Sequence, residues 1–309
     1  MSKQTDIQKK GTKKAGKIRM IKLAPYIFTA PFVIYFLLFF IYPITDTIKT
    51  SMSQQVGFAP PKFSGFANYK LLIDDYFIMA TQNSAIYTFF TCLILIPLPL
   101  LLAVLLDSKF VVRSELFKSA LFIPALTSVV MAGLFFKYAF SSNPNALMNA
   151  FVGVFGIPPQ GWLEKRTTTW IVLVLFCVWK WLGVNIVYYL SALQMVSKDL
   201  YEAAMIDGAT AWERFIHITV PGVKPTIIYV LTISIYGGFS MFAEAFTLFN
   251  SARTPGDIGA TIVSYIYAQG FNRNNFGIAS AAGIVLLAGV LIINIIQLRI
   301  TDPVGKNND

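Results

Sequence analysis

Charged residues are scarce in this chain of 309 residues, of which only 13% are Asp, Glu, Lys or Arg. Hydrophobic residues, in contrast, make up 56% of the sequence. Soluble domains average about 25% charged residues and about 45–50% apolar residues. The shortage of charge therefore argues against an ordinary soluble domain and indicates a membrane protein.

The residue types that bind metals or carry acid–base chemistry are also few. There is one histidine, His217, and no cluster of metal-ligating residues accompanies it in the sequence. Cys92 and Cys177 each lie inside an apolar run, as expected of small buried hydrophobes rather than a disulfide pair. No H-E-x-x-H motif and no Ser-His-Asp set is present. We therefore expect no catalytic residue, no metal and no cofactor.

The sequence also lacks a loop that could hold nucleotide phosphates. Gly156 and Gly161 have the glycine spacing of a phosphate-binding loop, but Trp162 stands where the lysine of that motif must be. We therefore expect that this chain does not bind a nucleotide itself and is not an enzyme.

The net charge of +10 could suggest a nucleic-acid partner, but the distribution of the charge argues against one. Eight of the 25 basic residues lie in the first 22 positions, directly before an apolar run. A basic segment beside a membrane span is typical of a cytoplasmic flank. We interpret 1–23 as a basic cytoplasmic tail, and for the chain we expect the lipid bilayer, not nucleic acid, as a partner.

Six apolar runs are long enough to cross a bilayer, which takes about 20 helical residues. They cover 24–44, 84–106, 116–140, 169–196, 226–249 and 276–300. Neighbouring helices can satisfy the carbonyls that a proline frees, so we predict kinks near Pro97 and Pro124. The predicted fold is an all-α polytopic membrane protein, with a six-span transmembrane domain over 24–300 and a cytoplasmic tail over 301–309.

The lysines and arginines predict the orientation of these spans. With the N-terminus inside, the inner segments carry 16 of these residues and the outer segments carry eight. The excess predicts that the N- and C-termini are both cytoplasmic. The outer loops then cover 45–80, 141–168 and 250–275, which is too short for a further domain.

A partly polar stretch, YEAAMIDGATAWERFIHITVPGVKP at 201–225, separates the fourth and fifth runs. Asp199 is predicted to cap a first helix, which Gly208 ends in the left-handed conformation. Thr210 and Glu213 have the spacing of a capping box that starts a second helix. Helices this short need a docking partner, and the acidic first helix favours a protein over anionic lipid. We predict a cytoplasmic helix–glycine–helix unit over 197–225.

The spacing within this stretch resembles the EAA loop of permease subunits of binding-protein-dependent ABC importers. The family pattern is E-A-A, three residues, glycine, nine residues and I-x-L-P. Here Glu202, Ala203 and Ala204 are followed by Gly208, and I-T-V-P ends at Pro221. Valine for leucine is the one departure. The D-G-A at 207–209 is similar to the carbohydrate-importer branch, and HITVPGVKPTIIYVLTISIYGGFSMF resembles permeases for arabinan-derived oligosaccharides.

The resemblance extends over nearly the whole chain. APYIFTAPFVIYFLLFFIYPI, ALFIPALTSVVMAGLFF, WKWLG and FGIASAAGIVLL are similar to segments of members that pair with a second, different permease. LFNSARTPGDIGAT at 248–261 departs from the L-T-x-G-G-P of many members. The resemblance implies a multi-pass protein of the bacterial cytoplasmic membrane that forms half of a pore. Its implied partners are a second permease subunit, an ATPase subunit dimer and an extracytoplasmic sugar-binding protein.

The resemblance also implies that this loop docks on the ATPase and transmits closure of the ATPase dimer to the spans. Glu202 would make polar contacts, Ala203 would permit close packing and Gly208 would set the bend between the helices. The implied coupling residues are Glu202, Ala203, Ala204, Asp207, Gly208 and Pro221.

Polar and aromatic residues inside the fourth and fifth runs are candidates for the sugar path. Lys180 lies near the middle of its run, where a charge is a functional candidate by default. Aromatic faces with a few polar groups suit a sugar, although packing between spans would explain them equally well. The candidates are Lys180, Trp181, Asn185, Tyr188, Ser240 and Glu244, with Lys180 and Glu244 as a potential pair.

Three other functions stay open at this point: an ion-coupled secondary transporter, an ABC permease for another small polar solute, and a membrane scaffold that transports nothing. A secondary transporter needs acids inside its spans and usually has inverted repeats. Glu244 is the only acid well inside a predicted span, and no repeat is evident. We therefore predict a permease subunit that imports a sugar or oligosaccharide and uses a separate ATPase.

Overall fold

The computed structural model describes residues 25–55, 57, 60–108, 111–251 and 254–301. The described residues are mostly helical. The predicted basic tail 1–23 lies outside them, as does the predicted tail 301–309 beyond its first residue.

Fourteen mainly α-helical segments, a short 3-10 helix (Pro255–Asp257), a π-helical turn (Ala268–Asn272) and one small hairpin follow each other along the described residues. The helices are α1 (Pro25–Ser51), α2 (Ala67–Leu71), α3 (Asp75–Leu95), α4 (Pro97–Asp107), α5 (Ser114–Leu126), α6 (Val129–Ala139), α7 (Leu147–Gly153), α8 (Arg166–Leu193), α9 (Lys198–Ile206), α10 (Ala211–Gly222), α11 (Lys224–Phe239), α12 (Ala243–Phe249), α13 (Ile262–Tyr267) and α14 (Phe276–Thr301). Between α1 and α2, strands β1 (Ser53–Gln54) and β2 (Lys62–Phe63) pair antiparallel, with Ser53 opposite Phe63.

Four helical segments are long and apolar enough to cross a membrane, judged by length and composition. They are α1, the α3–α4 segment, α8 and α14. Two bent pairs bring the number to as many as six: α5 with α6, at 97°, and α10 with α11, at 68°. The helical, multi-pass character of the chain is therefore confirmed, while the exact count of six spans and the position of the termini stay predictions.

Two spans begin or end well outside their predicted bounds. The first helix continues to Ser51, beyond the predicted end at 44. The second begins at Asp75, where the Asp74 carboxylate accepts a hydrogen bond of 2.6 Å from the Phe77 amide. Its first turns contain polar residues, Asn83 and Ser84 among them, that are buried against the rest of the chain. Hydropathy alone therefore placed the start of this helix too late.

The predicted kinks correspond to interruptions of helical hydrogen bonding, one of them displaced. The helix is interrupted at Ile96, directly before Pro97, as predicted. Pro124 lies inside the last turn of α5, and the chain leaves the helix at Thr127 and Ser128, three residues later. A proline removes its own N–H and crowds the carbonyl four residues before it, so Pro124 does not by itself account for a break that follows it.

The predicted fifth span, 226–249, is divided between two helices. α11 ends at Phe239, and α12 begins at Ala243. Gly238 of α11 packs directly against Thr88 of α3, and a side chain at position 238 would collide with Thr88. Consecutive glycines at 237 and 238 also weaken a helix, which explains an end at this point.

The buried core is arranged around α8, which packs against α3, α4, α5, α11 and α12. Near its start, α8 contributes to an aromatic cluster in which the rings of Phe136 and Phe176 are stacked with centroids 4.5 Å apart. Near its end, it contributes Ile186 and Tyr189 to a second cluster. Cys92 and Cys177 are both buried and free, as predicted. α8 is thus the element against which the interrupted helices are held.

Candidate coupling site and substrate path

The first helix of the coupling unit, α9, has well-formed ends. Its N-terminal cap is Ser197, whose hydroxyl accepts a hydrogen bond of 3.3 Å from the Asp199 amide. The predicted cap at Asp199 was therefore wrong by two residues, and Asp199 lies instead in the first turn, where a carboxylate is also favourable.

Gly208 ends α9 as predicted, with φ at +82°. The Gly208 amide donates to the Met205 carbonyl at 3.2 Å, and the Ala209 amide donates to the Ala204 carbonyl at 2.9 Å. This hydrogen-bond pair is the Schellman arrangement, which requires a left-handed residue after the helix. The residue at 208 thus fixes the angle at which the chain enters α10.

The predicted capping box starts α10. The Thr210 amide donates to Glu213 Oε2 at 2.7 Å, and the Glu213 amide donates to the Thr210 hydroxyl at 3.3 Å. Hydrogen bonds from the backbone and hydroxyl of Thr210 lower the pKa of the Glu213 carboxyl below its ordinary value. The carboxylate is therefore the form that stabilises this helix start, and the contribution is lost as the pH falls through the lowered pKa.

The two short helices are tied to each other and to the spans. The Tyr201 and Thr219 hydroxyls are 3.0 Å apart and join α9 to α10 across the Gly208 turn. Val223, after α10, is fully buried in the cluster formed by the ends of α4 and α8. Gly222 lies against the side chain of Val196. The coupling unit is therefore packed against the spans that flank it and is not connected to them by the backbone alone.

Most of the predicted coupling residues are exposed in the described structure. Ala204 is half-buried, and the other five are exposed: Glu202, Ala203, Asp207, Gly208 and Pro221. Apolar side chains beside them are also exposed, and Ile206 reaches 87% exposure. Exposed apolar side chains next to acidic residues on a short helix suit a protein partner.

Lys180, the charged candidate of the sugar path, is only 8% exposed. Its ammonium donates to the carbonyl oxygens of Thr127, at 2.6 Å, and Ala125, at 3.5 Å. It also lies 5.8 Å from the ring centroid of Trp181. These carbonyls are at the C-terminal end of α5, where a helix leaves acceptors without intrahelical donors. The charge is thus compensated by backbone dipoles at a helix end.

Asn185 has a similar environment five residues later and is 4% exposed. Its side-chain amide Nδ2 donates a hydrogen bond to the Leu95 carbonyl at 3.1 Å. In a regular helix this carbonyl would accept from the residue four positions later, but that residue is Pro99, which has no N–H. Asn185 therefore supplies the donor that the proline lacks.

The other sugar-path candidates are more open. Trp181 is exposed, and the half-buried Tyr188 packs edge-on against Tyr229 with ring centroids 5.3 Å apart. Ser240 and Glu244 lie on either side of the interruption between α11 and α12. Within the described residues, Lys180 and Glu244 form no salt bridge within 4.0 Å.

Sequence reasoning missed the polar residues that hold the segment before α13. The Thr261 hydroxyl donates to the Met241 carbonyl at 2.7 Å, and the Ile262 amide donates to the Ser84 hydroxyl at 3.1 Å. The Asn83 amide donates to the Ala260 carbonyl at 3.0 Å. The spacing of threonine and serine at 261 and 264 was a weak signal, because the usual capping box ends in Glu or Gln. This segment belongs to the region that departs from the family pattern.

Comparison with known proteins gives a family match over most of the chain. The family described as binding-protein-dependent transport system inner membrane component matches residues 78–303. The arabinooligosaccharides transport system permease protein AraP of Bacillus subtilis (strain 168) is 46% identical over 280 residues, which cover 91% of this chain and 89% of that protein. The lactose transport system permease protein LacF of Rhizobium radiobacter is 30% identical, covering 93% and 96%.

A solved structure has the same fold. It is the crystal structure of a bacterial ABC transporter involved in the import of the acidic polysaccharide alginate. The match to one chain of that transporter covers 95% of the present chain and 100% of the transporter chain. The TM-score is 0.81 at 24% sequence identity. A second structure, of a bacterial alginate ABC transporter with an alginate pentasaccharide-bound periplasmic protein, gives 0.78 at 23% identity.

Proposed function

The chain belongs to the family of binding-protein-dependent transport system inner membrane components, and from this premise we propose that it forms half of the pore of an ABC importer for arabino-oligosaccharides. The observation that carries the proposal is the 46% identity to the AraP permease over 91% of the chain. Identity at this level over the full transmembrane region favours the same class of cargo, whereas the fold alone would not.

The coupling step is proposed to run through α9. The exposed acidic and apolar surface around Glu202 would dock on a separate ATPase, with Ala203 and Ala204 permitting close approach. Only four residues, 194–197, connect α9 to the end of α8, so a displacement of α9 would be passed directly to the central span. ATP can shift the pore only to the extent that the two pore states differ in affinity for the closed ATPase dimer.

The remaining partners are a second permease subunit, the bilayer and an extracytoplasmic sugar-binding protein. Exposed aromatic side chains along α1, such as Phe32, Phe36 and Phe39, support contact with lipid or with another permease. In this proposal the protein lies in the cytoplasmic membrane of a bacterium, with both termini in the cytoplasm.

The sugar path is proposed to use the open candidates directly. Trp181 and Tyr188 offer aromatic faces, and Ser240 and Glu244 offer hydrogen-bonding groups at a helix interruption. Aromatic faces with a few polar groups are the usual composition of a sugar site. Lys180 and Asn185 already donate to backbone carbonyls, so we place them behind the path rather than in it.

ATP-driven uptake by the complete complex tests this function. The chain is reconstituted in proteoliposomes with a second permease, an ATPase and a sugar-binding protein from the same organism, and uptake of labelled arabinotriose is measured. We expect uptake that requires ATP, persists with an uncoupler and is reduced by excess unlabelled arabino-oligosaccharide but not by lactose. Uptake that needs no ATP and is abolished by the uncoupler would establish an ion-coupled transporter instead.

A further inference from the structure

Three interruptions of helices in the described transmembrane region share one feature. At each, a backbone carbonyl accepts a hydrogen bond from a side chain of another part of the chain. Lys180 donates to Thr127 between α5 and α6, Asn185 donates to Leu95 between α3 and α4, and Thr261 donates to Met241 between α11 and α12. The distances are 2.6, 3.1 and 2.7 Å, in that order.

Each of these carbonyls needs a donor from elsewhere. Thr127 and Met241 lie outside the helices that flank them, and Leu95 faces Pro99, which has no N–H. Inside a bilayer, irregular backbone persists only where the protein or a water-filled cavity satisfies its polar groups, and at these three sites side chains do so. The interruptions are thus specified by particular side chains, in addition to the prolines beside them.

Two of the three donors belong to α8. This helix is unbroken over 28 residues and lies between the two interrupted helices. Gly183, between Lys180 and Asn185, packs so closely on α5 that a side chain there would collide with the Leu121 carbonyl. Lys180 and Gly183 therefore fix α8 to α5, while Asn185 fixes it to the junction of α3 and α4.

The same helix leads directly into the coupling unit. Asn185 lies eight residues before the end of α8, about 12 Å along the helix axis. Val223, which follows α10, is buried among side chains of α4 and α8 close to this end. A shift of the coupling unit would therefore reach the Asn185 and Lys180 contacts through a continuous rigid helix.

We propose that Lys180 and Asn185 are positioning residues, which fasten the two interrupted helices to α8 so that the coupling unit moves all three together. This inference rests on the proposed coupling through α9. In this account Lys180 does not bind sugar. Its ammonium connects the C-terminal end of α5 to α8, so that the two helices move together.

The test removes each donor and compares the kinetics of import. In the reconstituted complex, Lys180→Met and Asn185→Leu are expected to lower the maximal uptake rate about tenfold and to raise the ATP consumed per sugar imported. The KM for the sugar should stay within about twofold, because neither residue contacts the sugar in this account. Lys180→Arg keeps a donor at the α5 end and should restore most of the rate.

Ser191→Ala is the matched control, since the Ser191 hydroxyl donates only within α8, to Val187 at 3.0 Å. Rates are divided by the amount of assembled complex, so that a variant with lower yield still gives a value. A raised KM at an unchanged maximal rate would make the residue a sugar contact and overturn the proposal. Unchanged kinetics in both variants would also overturn it, while ATP-driven import by the parent complex would leave the proposed function intact.

Discussion

At the scale of single residues, two glycines are required for different reasons. Gly208 has φ at +82°, a conformation that costs other residues roughly 1–2 kcal/mol, but it has open space around it. Gly183 has ordinary helical geometry. A larger residue is excluded there by a steric clash, because the Leu121 carbonyl occupies the position of a side chain. The first glycine is needed by the local backbone and the second by the packing of two helices.

Gly183→Ala should therefore destabilise the protein although alanine favours helices. We expect a loss of roughly 1–3 kcal/mol, the usual cost of overpacking a close contact, measured as a lower melting temperature in detergent. Gly289→Ala in α14 is the control, because a methyl group there meets nothing within 4 Å. Equal melting temperatures for the two variants would show that α8 and α5 can separate without cost.

Hydrogen-bond partners at this scale were hard to predict from the sequence. Lys180 stood out because a charge in an apolar run is rare, but its partners depend on where α5 ends, and that end lies three residues after Pro124. The partner of Asn185 carried a clearer signal, since Pro99 must leave the Leu95 carbonyl without a helical donor. A proline identifies the free acceptor, whereas only the tertiary structure identifies the donor.

At the scale of elements, the coupling unit is the part that the sequence predicted best. The end of α9 at Gly208 and the capping box of α10 are both local devices, encoded within a few residues, and both are confirmed. The start of α9 was misplaced because Ser197 and Asp199 are both good caps and local sequence does not choose between them. The glycines at 237 and 238 are a local signal for the division of the fifth predicted span, whereas the contact of Gly238 with Thr88 of α3 is visible only in the tertiary structure.

The exposed acidic face of α9 leads to a prediction about its partner. Glu202→Lys should lower co-purification of the ATPase with the permease about tenfold or more, since reversing a charge at an interface costs several kcal/mol. Glu164→Lys alters another exposed acid, in the predicted outer loop, and should leave recovery unchanged. Full recovery with Glu202→Lys would remove this residue from the proposed contact.

At the scale of the whole molecule, the fold is shared with a solved structure of low sequence identity. The alginate importer chain has a TM-score of 0.81 at 24% identity, whereas the AraP permease of Bacillus subtilis is 46% identical. Composition and hydropathy were sufficient to predict a helical multi-pass protein, because about 20 apolar residues are needed for each crossing. Hydropathy does not predict the 97° bend between α5 and α6 or the 68° bend between α10 and α11; Pro124 indicates an interruption near the first bend but not its angle.

The most direct test of the account is ATP-driven arabinotriose uptake by the complex that carries Gly208→Pro. Proline cannot adopt the φ of +82° found at this position and removes the N–H that donates to Met205. We expect uptake to fall to background while the permease still reaches the membrane, and Gly208→Asn, which tolerates the left-handed conformation, to keep most of it. Uptake by Gly208→Pro equal to that of the parent would contradict coupling through this loop.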